Sequence, residues 1–76
     1  MQKAVIQIKS NKPDQVSAFL KAQATVTVKD VIITTDSHFN MTVIIEDESA
    51  ELISEFVQTE LLTRDDIQNT HTSFEL

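Results

Sequence analysis

Two runs rich in β-branched residues flank a short polar stretch in the middle of the chain. The first run is Val31–Thr35 and the second is Met41–Glu46. Val, Ile and Thr suit a pleated, half-buried surface, whereas the Asp, Ser and Asn between the runs favour a turn. The pattern predicts a β-hairpin, and its turn is the segment Asp36-Ser37-His38-Phe39-Asn40.

The first quarter of the chain predicts a strand and then a helix. Apolar and polar residues alternate over Lys3–Lys9, which is typical of a strand with one buried face. Val5 interrupts the polar face, and this indicates that the second face of the sheet is partly covered as well. Pro13 suits a first helical turn because its missing N–H would be unpaired there, and the apolar spacing that follows predicts a helix over Pro13–Gln23.

The first arm of the predicted hairpin belongs to a longer extended segment, Ala24–Thr35. Valines at even-numbered positions precede Asp30, and the apolar run after it starts at an odd-numbered position, Val31. Since a strand alternates its side chains between two faces, this change of phase predicts a bulge or bend at Asp30. The near-continuous apolar run of Met41–Glu46 favours a central strand that is covered on both faces.

The last two elements are predicted to be a helix and a strand. The acidic and serine residues at 47–49 suit a helix start, and apolar residues then recur at helical spacing to about Leu62. The predicted apolar positions of this helix are Leu52, Ile53, Phe56, Val57 and Leu61. After a turn at residues 63–66, alternation over Ile67–Leu76 is typical of a strand. One face of that strand carries Thr70, Thr72, Phe74 and Leu76.

The elements follow one another in the order βαββαβ and form a single domain over residues 1–76. Right-handed crossovers place the strands in the order 4-1-3-2 in an antiparallel sheet, with both helices on one face. The predicted fold is therefore α+β, a ferredoxin-like plait. The opposite sheet face is bare and carries Val5 and members of the two β-branched runs. This exposed apolar surface predicts dimerisation through the sheet into an assembly of the dimeric α/β-barrel type.

Length and composition limit what else the chain can be. A chain of 76 residues buries only about 60–65% of its unfolded surface, so a monomer is marginally stable and association is expected. Cysteine is absent, which excludes disulfides and thiolate metal sites. The apolar content of 41% indicates a globular protein. No apolar run has the roughly 18 residues of a membrane helix, and the N-terminus lacks a signal-peptide pattern, so we expect a cytoplasmic protein with no membrane partner.

The charge balance opposes binding to nucleic acids. Twelve acidic and six basic residues give a formal charge of −6, and the basic residues are scattered singly along the chain. No segment has the two-helix pattern of a helix-turn-helix, so we expect no direct nucleic-acid partner. Glycine is also absent, and positions that require a positive φ are therefore expected to use Asn, Asp or Ser.

Three stretches of the sequence resemble the effector domain of the Lrp/AsnC family. Residues 34–41 are similar to the family's Val-Thr-Gly-x-Tyr-Asp turn, with Phe39 at the aromatic position and Asn40 at the acidic one. Residues 51–57 resemble the family's second helix, and residues 65–76 resemble its closing strand, Pro-Gly-Val-x-x-Thr-x-Thr-x-x-x-Leu. The resemblance is to a stand-alone form of this domain, without the DNA-binding domain of the longer regulators.

The resemblance implies a dimer of facing sheets, often assembled further into a ring of dimers. It also implies that a small-molecule effector, commonly an amino acid, is held between subunits near the turn. A role in transcription regulation would then come from mixed assembly with a full-length Lrp/AsnC-like regulator. No catalytic activity and no cofactor are implied.

The resemblance also implies which residues bind the effector. Ser37 stands where the family usually has glycine, which implies a differently shaped turn, and Asp66 likewise replaces a glycine. Asn40 replaces the usual aspartate and so removes a charge that could meet an amino group. The expected ligand-binding residues are Ser37, His38, Phe39, Asn40, Thr70 and Thr72.

The same residues are also compatible with other functions, or with none. A histidine in a polar turn, such as His38, is more often solvated than functional, and paired threonines also reflect β-propensity. Small dimeric ferredoxin-like folds include oxygenases and isomerases, and an enzyme of that type would need His38 or His71 to act as a base with Asp36. The spacing of the two histidines does not favour a metal site. A further alternative is an assembly module that binds no ligand.

Overall fold

The computed structural model describes residues 1–36 and 38–75. Its strands lie in the order β2-β3-β1-β4, and every neighbouring pair is antiparallel. This is the predicted order 4-1-3-2 read from the other edge, so the α+β ferredoxin-like plait is confirmed. No helix in the described part of the chain has the length and hydropathy to cross a bilayer. The elements are β1 Gln2–Ser10, α1 Pro13–Ala22, β2 Thr27–Ile33, β3 Met41–Asp47, α2 Ala50–Phe56 and β4 Ile67–Glu75.

The core lies between the sheet and the two helices. Alternate residues of β1 and β3 are buried, as the pleat of a strand requires when one face is covered. Both helices contribute apolar side chains to this one cluster, which confirms that they share one face of the sheet. The buried apolar residues are Ala4, Ile6, Ile8, Val16, Leu20, Val26, Met41, Val43, Ile45, Ile53, Phe56, Val57 and Leu61.

The second helix begins where the capping pattern predicts. The Ser49 hydroxyl accepts a hydrogen bond from the Leu52 backbone N–H at 3.3 Å, which satisfies one of the unpaired donors of the first turn. Ser49→Ala is expected to lower the free energy of unfolding by about 1 kcal/mol, as measured by urea denaturation. Ser54→Ala, within the same helix, is the control and should cause no such loss. An unchanged stability of Ser49→Ala would contradict the capping role.

A π-helical turn, Val57–Leu61, continues α2, so the helical segment ends close to the predicted Leu62 but its last turn is not α-helical. The Leu62 N–H donates to the Val57 carbonyl at 2.9 Å, five residues back. In an uninterrupted α-helix the residue two turns after Ile53 would be Glu60, and the extra residue of the π turn puts Leu61 there instead. Leu61 is accordingly buried and Glu60 exposed. Leu52 was predicted to be on the apolar stripe, but it is 37% exposed.

The second strand is shorter than predicted and has the predicted irregularity. Its pairing with β3 shifts register between Val28 and Asp30, so Lys29 is the extra residue of a bulge. The bulge lets Val28 and Val31, which differ in parity, both pack towards the core. The predicted start at Ala24 is wrong, because the strand begins at Thr27.

The Gln23 side chain explains why residues 24–26 form a turn. Its amide oxygen accepts the backbone N–H groups of Thr25 and Val26 at 2.8 and 3.0 Å. Its amide nitrogen donates to the Leu20 and Val26 carbonyls at 3.3 and 2.8 Å. These bonds satisfy backbone groups that a strand would have paired. Residues 24–26 therefore do not extend β2, although their composition favours a strand.

The described residues make their turns without left-handed backbone. None of the residues at 1–36 and 38–75 has a positive φ, so the expectation that Asn, Asp or Ser would adopt that region is wrong for this part of the chain. Side chains supply hydrogen bonds to the turns instead, as Gln23 does after α1.

Candidate functional site

The β2–β3 turn, residues 34–40, lies at the end of the sheet where β1 finishes and β4 starts. The Thr34 N–H donates to the Asn40 carbonyl at 2.8 Å, which closes the turn. The Asn40 N–H donates to the Ile8 carbonyl at 3.0 Å, which fastens the turn to β1. The hairpin predicted from the β-branched runs is therefore present, and its turn is anchored to a third strand.

The side chain of Asn40 faces the protein. Its amide oxygen accepts the Ser10 N–H at 3.0 Å, and its amide nitrogen donates to the Ser10 carbonyl at 2.7 Å. The amide thus pairs with Ser10 in both directions, as a neighbouring backbone would. Both ends of this amide are engaged within the chain, so a ligand contact by Asn40 would have to displace its bonds to Ser10. A carboxylate accepts but does not donate, which explains why asparagine suits this position.

Asp36 and His38 form the exposed tip of the turn. The Asp36 carboxylate accepts the His38 backbone N–H at 2.8 Å. This bond lowers the pKa of Asp36, with smaller contributions from the Phe39 backbone and the charges of His38 and Lys9. The carboxylate is therefore an exposed anion at neutral pH. The contact uses the histidine backbone, so the described hydrogen bonds do not form the Asp36–His38 side-chain dyad that an enzyme would need.

The other predicted ligand-binding residues are distributed unevenly around this turn. Phe39 is half-buried, and its carbonyl accepts the Thr34 hydroxyl at 3.4 Å. Thr70 and Thr72 pair with Ile8 and Ile6, so they lie on the helix-covered face. Ser37 lies outside the described residues.

The structure separates the turn from the two threonines. Asn40 bonds to Ile8 on one side of β1, and Thr70 pairs with Ile8 on the other. One strand therefore stands between them, and the two neighbouring strand spacings put their backbones roughly 10 Å apart. Thr72 is two residues farther along β4 and away from the turn. Within one chain, these residues do not form a shared site.

The remaining candidate groups do not converge either. His38 is on the turn, and His71 pairs with Gln7 in the sheet. In residues 1–36 and 38–75 no three His, Cys, Asp or Glu side chains are placed to hold a metal ion. No concave pocket is found in the same residues of a single chain.

Sequence reasoning missed a buried polar junction at this end of the sheet. Ser10 is 2% exposed, and its hydroxyl donates to the Asp66 carbonyl at 2.7 Å. The Asn11 N–H also donates to the Asp66 carbonyl, at 3.3 Å. Asp66 belongs to the α2–β4 corner, residues 62–66, and is itself 6% exposed. The only sequence signal was an Arg-x-Asp spacing beside a serine-ending strand, and neither is specific.

Arg64 holds the Asp66 carboxylate in a two-point contact. Its Nε and Nη2 atoms donate to the two carboxylate oxygens at 2.9 and 2.8 Å. These hydrogen bonds lower the pKa of Asp66, and the carboxylate in turn raises the pKa of Arg64. The guanidinium also lies 4.7 Å from the centre of the Phe19 ring, which stacks on Phe56 with 6.3 Å between centroids. The corner is thereby joined to both helices.

Comparisons with known proteins identify the fold. No protein-family model and no curated protein matches the sequence. Among solved structures, FFRP-DM1 matches with a TM-score of 0.86 and 20% identity over 100% of both chains. AsnC from E. coli matches with a TM-score of 0.81 and 20% identity over 99% of this chain and 50% of its own. This chain has the fold of the matching half of AsnC.

The same fold recurs in a second, longer regulator. The transcriptional regulator NMB0573 from Neisseria meningitidis, solved as a complex with L-Met, matches with a TM-score of 0.77 and 19% identity. The match covers 99% of this chain and 49% of NMB0573. The chain therefore spans about half the length of AsnC and NMB0573 and all of FFRP-DM1. The predicted resemblance to the Lrp/AsnC family is confirmed at the level of the fold.

The sheet face opposite the helices is open in the single chain. Val5 of β1 pairs with Ile44 of β3. Ile32 of β2 pairs with Thr42, which is the neighbouring outward-facing residue of β3. Ile32 is 44% exposed, while Val5 and Ile44 are half-buried. The face thus carries Val5 and one member of each β-branched run, as predicted. Asp30 pairs directly with Ile44 and so lies beside this aliphatic patch on the open face. Other polar residues around the patch are Lys3, Gln7, Thr42, Glu46, His71 and Ser73.

Proposed function

We propose that the chain is an oligomerisation and small-molecule-binding module of the Lrp/AsnC type. Two copies associate through their open sheet faces, and a small polar effector, an amino acid in the first instance, binds between subunits near the β2–β3 turn. Because the chain has a formal charge of −6, a role in transcription regulation runs through mixed assembly with a longer regulator rather than through direct contact with DNA.

The aliphatic patch on the open sheet face carries this proposal. Val5, Ile32 and Ile44 are adjacent across three strands, and they are the aliphatic residues that the described registers place on this face. Exposed ion pairs border them, Lys3–Glu75 at 3.7 Å and Lys29–Glu46 at 3.6 Å. An apolar centre with a charged rim is the usual composition of a protein interface. A chain this short also gains most from covering apolar surface through association.

Ile44→Asp is expected to dissociate the dimer. Native mass spectrometry at micromolar concentration should show a dimer, or a multiple of one, for the unchanged chain. The substitution puts a charge at the centre of the patch, and we expect at least about tenfold weaker association, a loss of roughly 1.4 kcal/mol or more. Leu62→Asp is the matched control, since Leu62 is also exposed, at 51%, but follows α2 on the helix side. A well-folded wild-type monomer would contradict the proposal, and dissociation by Leu62→Asp alone would place the interface elsewhere.

The ligand part of the proposal predicts thermal stabilisation by a member of an amino-acid panel. A ligand at 100 times its Kd stabilises the folded state by about 2.7 kcal/mol, so weak binders are detectable only at high concentration. The contacts we assign are backbone groups of the turn, including those of His38 and Phe39, and a hydroxyl of Thr70 or Thr72. Because these threonines lie on the helix-covered face, the hydroxyl comes from a subunit of a neighbouring dimer and not from the partner across the open sheet face. In this proposal Asn40 shapes the turn, and Ser37 keeps its assignment as a ligand contact.

Threonine-to-valine substitutions test the ligand contacts without changing side-chain shape. Thr70→Val and Thr72→Val remove the hydroxyls, and at least one should abolish the stabilisation seen with the unchanged chain. Thr27→Val, on the exposed part of β2, is the control. A dimer that no amino acid stabilises would remove the ligand part of the proposal and leave an assembly module without a ligand.

A further inference from the structure

Ser10 is bonded to two loops that are distant in the sequence. Its backbone N–H and C=O both pair with the Asn40 amide, at 3.0 and 2.7 Å, across 30 residues. Its hydroxyl donates to the Asp66 carbonyl at 2.7 Å, across 56 residues. The same hydroxyl accepts the Lys12 N–H at 3.0 Å, at the start of α1. The side chain is 2% exposed, so water does not substitute for these partners.

We infer that Ser10 is a positioning residue that makes the β2–β3 turn and the α2–β4 corner one mechanical unit. The corner is a fixed point, because the Asp66 carboxylate is held by Arg64 and Arg64 is packed on Phe19. The hydrogen bonds between Ser10 and Asn40 extend this restraint to the turn. Buried hydrogen-bond networks of this kind strengthen cooperatively, so a loss at one loop loosens the other.

This link gives the turn a second function beside any contact it makes itself. A contact that restrains the turn also restrains the corner. Through Arg64 the restraint extends to the stacked rings of Phe19 and Phe56 between the two helices. The functional meaning of the link rests on the proposed site at the turn. The link itself is a property of the chain without ligand and is tested in that state.

Amide hydrogen exchange of the unliganded protein tests the link in both directions. Ser10→Ala removes the hydroxyl but none of the atoms bonded to Asn40. The reporters at the turn are the amides of Thr34 and Asn40, and their exchange rates are divided by that of Val43 in the sheet centre. We expect this ratio to rise about tenfold, since opening of the turn becomes a local event rather than one shared with the corner. A uniform loss of stability changes all rates together and leaves the ratio constant, which would overturn the inference.

The reverse experiment uses Asn40→Ala and reporters at the corner. The amides of Asn11 and Ile67 donate to the carbonyls of Asp66 and Arg64, and their rates relative to Val43 should also rise about tenfold, as reciprocity of coupling requires. Ser17→Ala is the control, because Ser17 is also buried but lies on α1. Unchanged corner ratios in Asn40→Ala, or an equal effect of Ser17→Ala, would overturn the inference. A chain that binds no amino acid would overturn the ligand proposal but would not affect these ratios.

Discussion

Replacing Arg64 with alanine is expected to lower the free energy of unfolding by about 3 kcal/mol, because it leaves a buried carboxylate without its partner. The Asp66 side chain is 7% exposed and that of Arg64 is 27% exposed. The expected loss of stability therefore lies at the lower end of the range for buried ion pairs. The substitution also removes the cation from the face of Phe19. Urea denaturation at pH 7 measures the change.

Two further variants separate the causes of this loss. Lys29→Ala breaks an exposed ion pair with Glu46 at 3.6 Å and should cost less than about 1 kcal/mol. Arg64→Lys keeps the charge but not the planar two-point contact, so its loss of stability should lie between those of Arg64→Ala and Lys29→Ala. A cost for Arg64→Ala no greater than that for Lys29→Ala would show that the Arg64–Asp66 pair does not stabilise the fold.

The cost of Arg64→Ala should also depend on pH. The pKa of Asp66 is lowered in the folded protein, chiefly by the hydrogen bonds from Arg64. A depressed folded pKa means that the pair stabilises the fold fully above the unfolded pKa, about 3.9, and loses this contribution as pH falls through the folded pKa. The difference between wild type and Arg64→Ala should therefore be constant near neutral pH and shrink below about pH 4. A difference that grows on acidification would contradict this sign.

Asn40→Asp is expected to destabilise the chain by about 2–3 kcal/mol. The substitution replaces the donor that bonds to the Ser10 carbonyl at 2.7 Å with an oxygen, so that two acceptors face each other. It also leaves that buried carbonyl without this partner. The side chain at this position faces Ser10, so the new carboxylate would meet the Ser10 carbonyl.

Asn69→Asp is the matched control for that experiment. Asn69 is exposed on β4, and its amide oxygen accepts the N–H of the next residue, Thr70, at 3.0 Å. An aspartate can accept the same bond, so the control adds the same charge and should change stability by less than about 0.5 kcal/mol. Equal effects of the two substitutions would assign the loss to net charge and not to the pairing with Ser10.

The sequence was sufficient for the strands and helices because these depend on local periodicity, and the right-handed crossover rule then gave the sheet order. The alternation of β1 and the changed phase around Asp30 both correspond to observed features, a strand with one buried face and a bulge at Lys29. The π turn at the end of α2 was not predicted, although the buried position of Leu61 was. An apolar spacing of four residues fits an α-helix as well, so the pattern does not distinguish the two.

The candidate site was less predictable because its geometry depends on contacts between distant residues. Asn40 resembled a ligand-binding residue in the sequence, and nothing near it showed that Ser10 would use both ends of its amide. Likewise, Thr70 and Thr72 share a strand face, but periodicity does not say which face the helices cover. Asn11, Ser10 and Asp66 meet only after the sheet has formed.

The strand order has a consequence for the speed of folding. β1 is central, yet both of its neighbours come from later parts of the chain: Lys3 pairs with Glu46 on one side and with Glu75 on the other. Only β2 and β3 are joined by a short connection, so their hairpin has the lowest loop-closure entropy and should form early. During synthesis, β1 has no strand partner until β3 emerges. Late closure by β4 should therefore limit refolding, and the bond from the Ser10 hydroxyl to the Asp66 carbonyl, just before β4, should form in that last step.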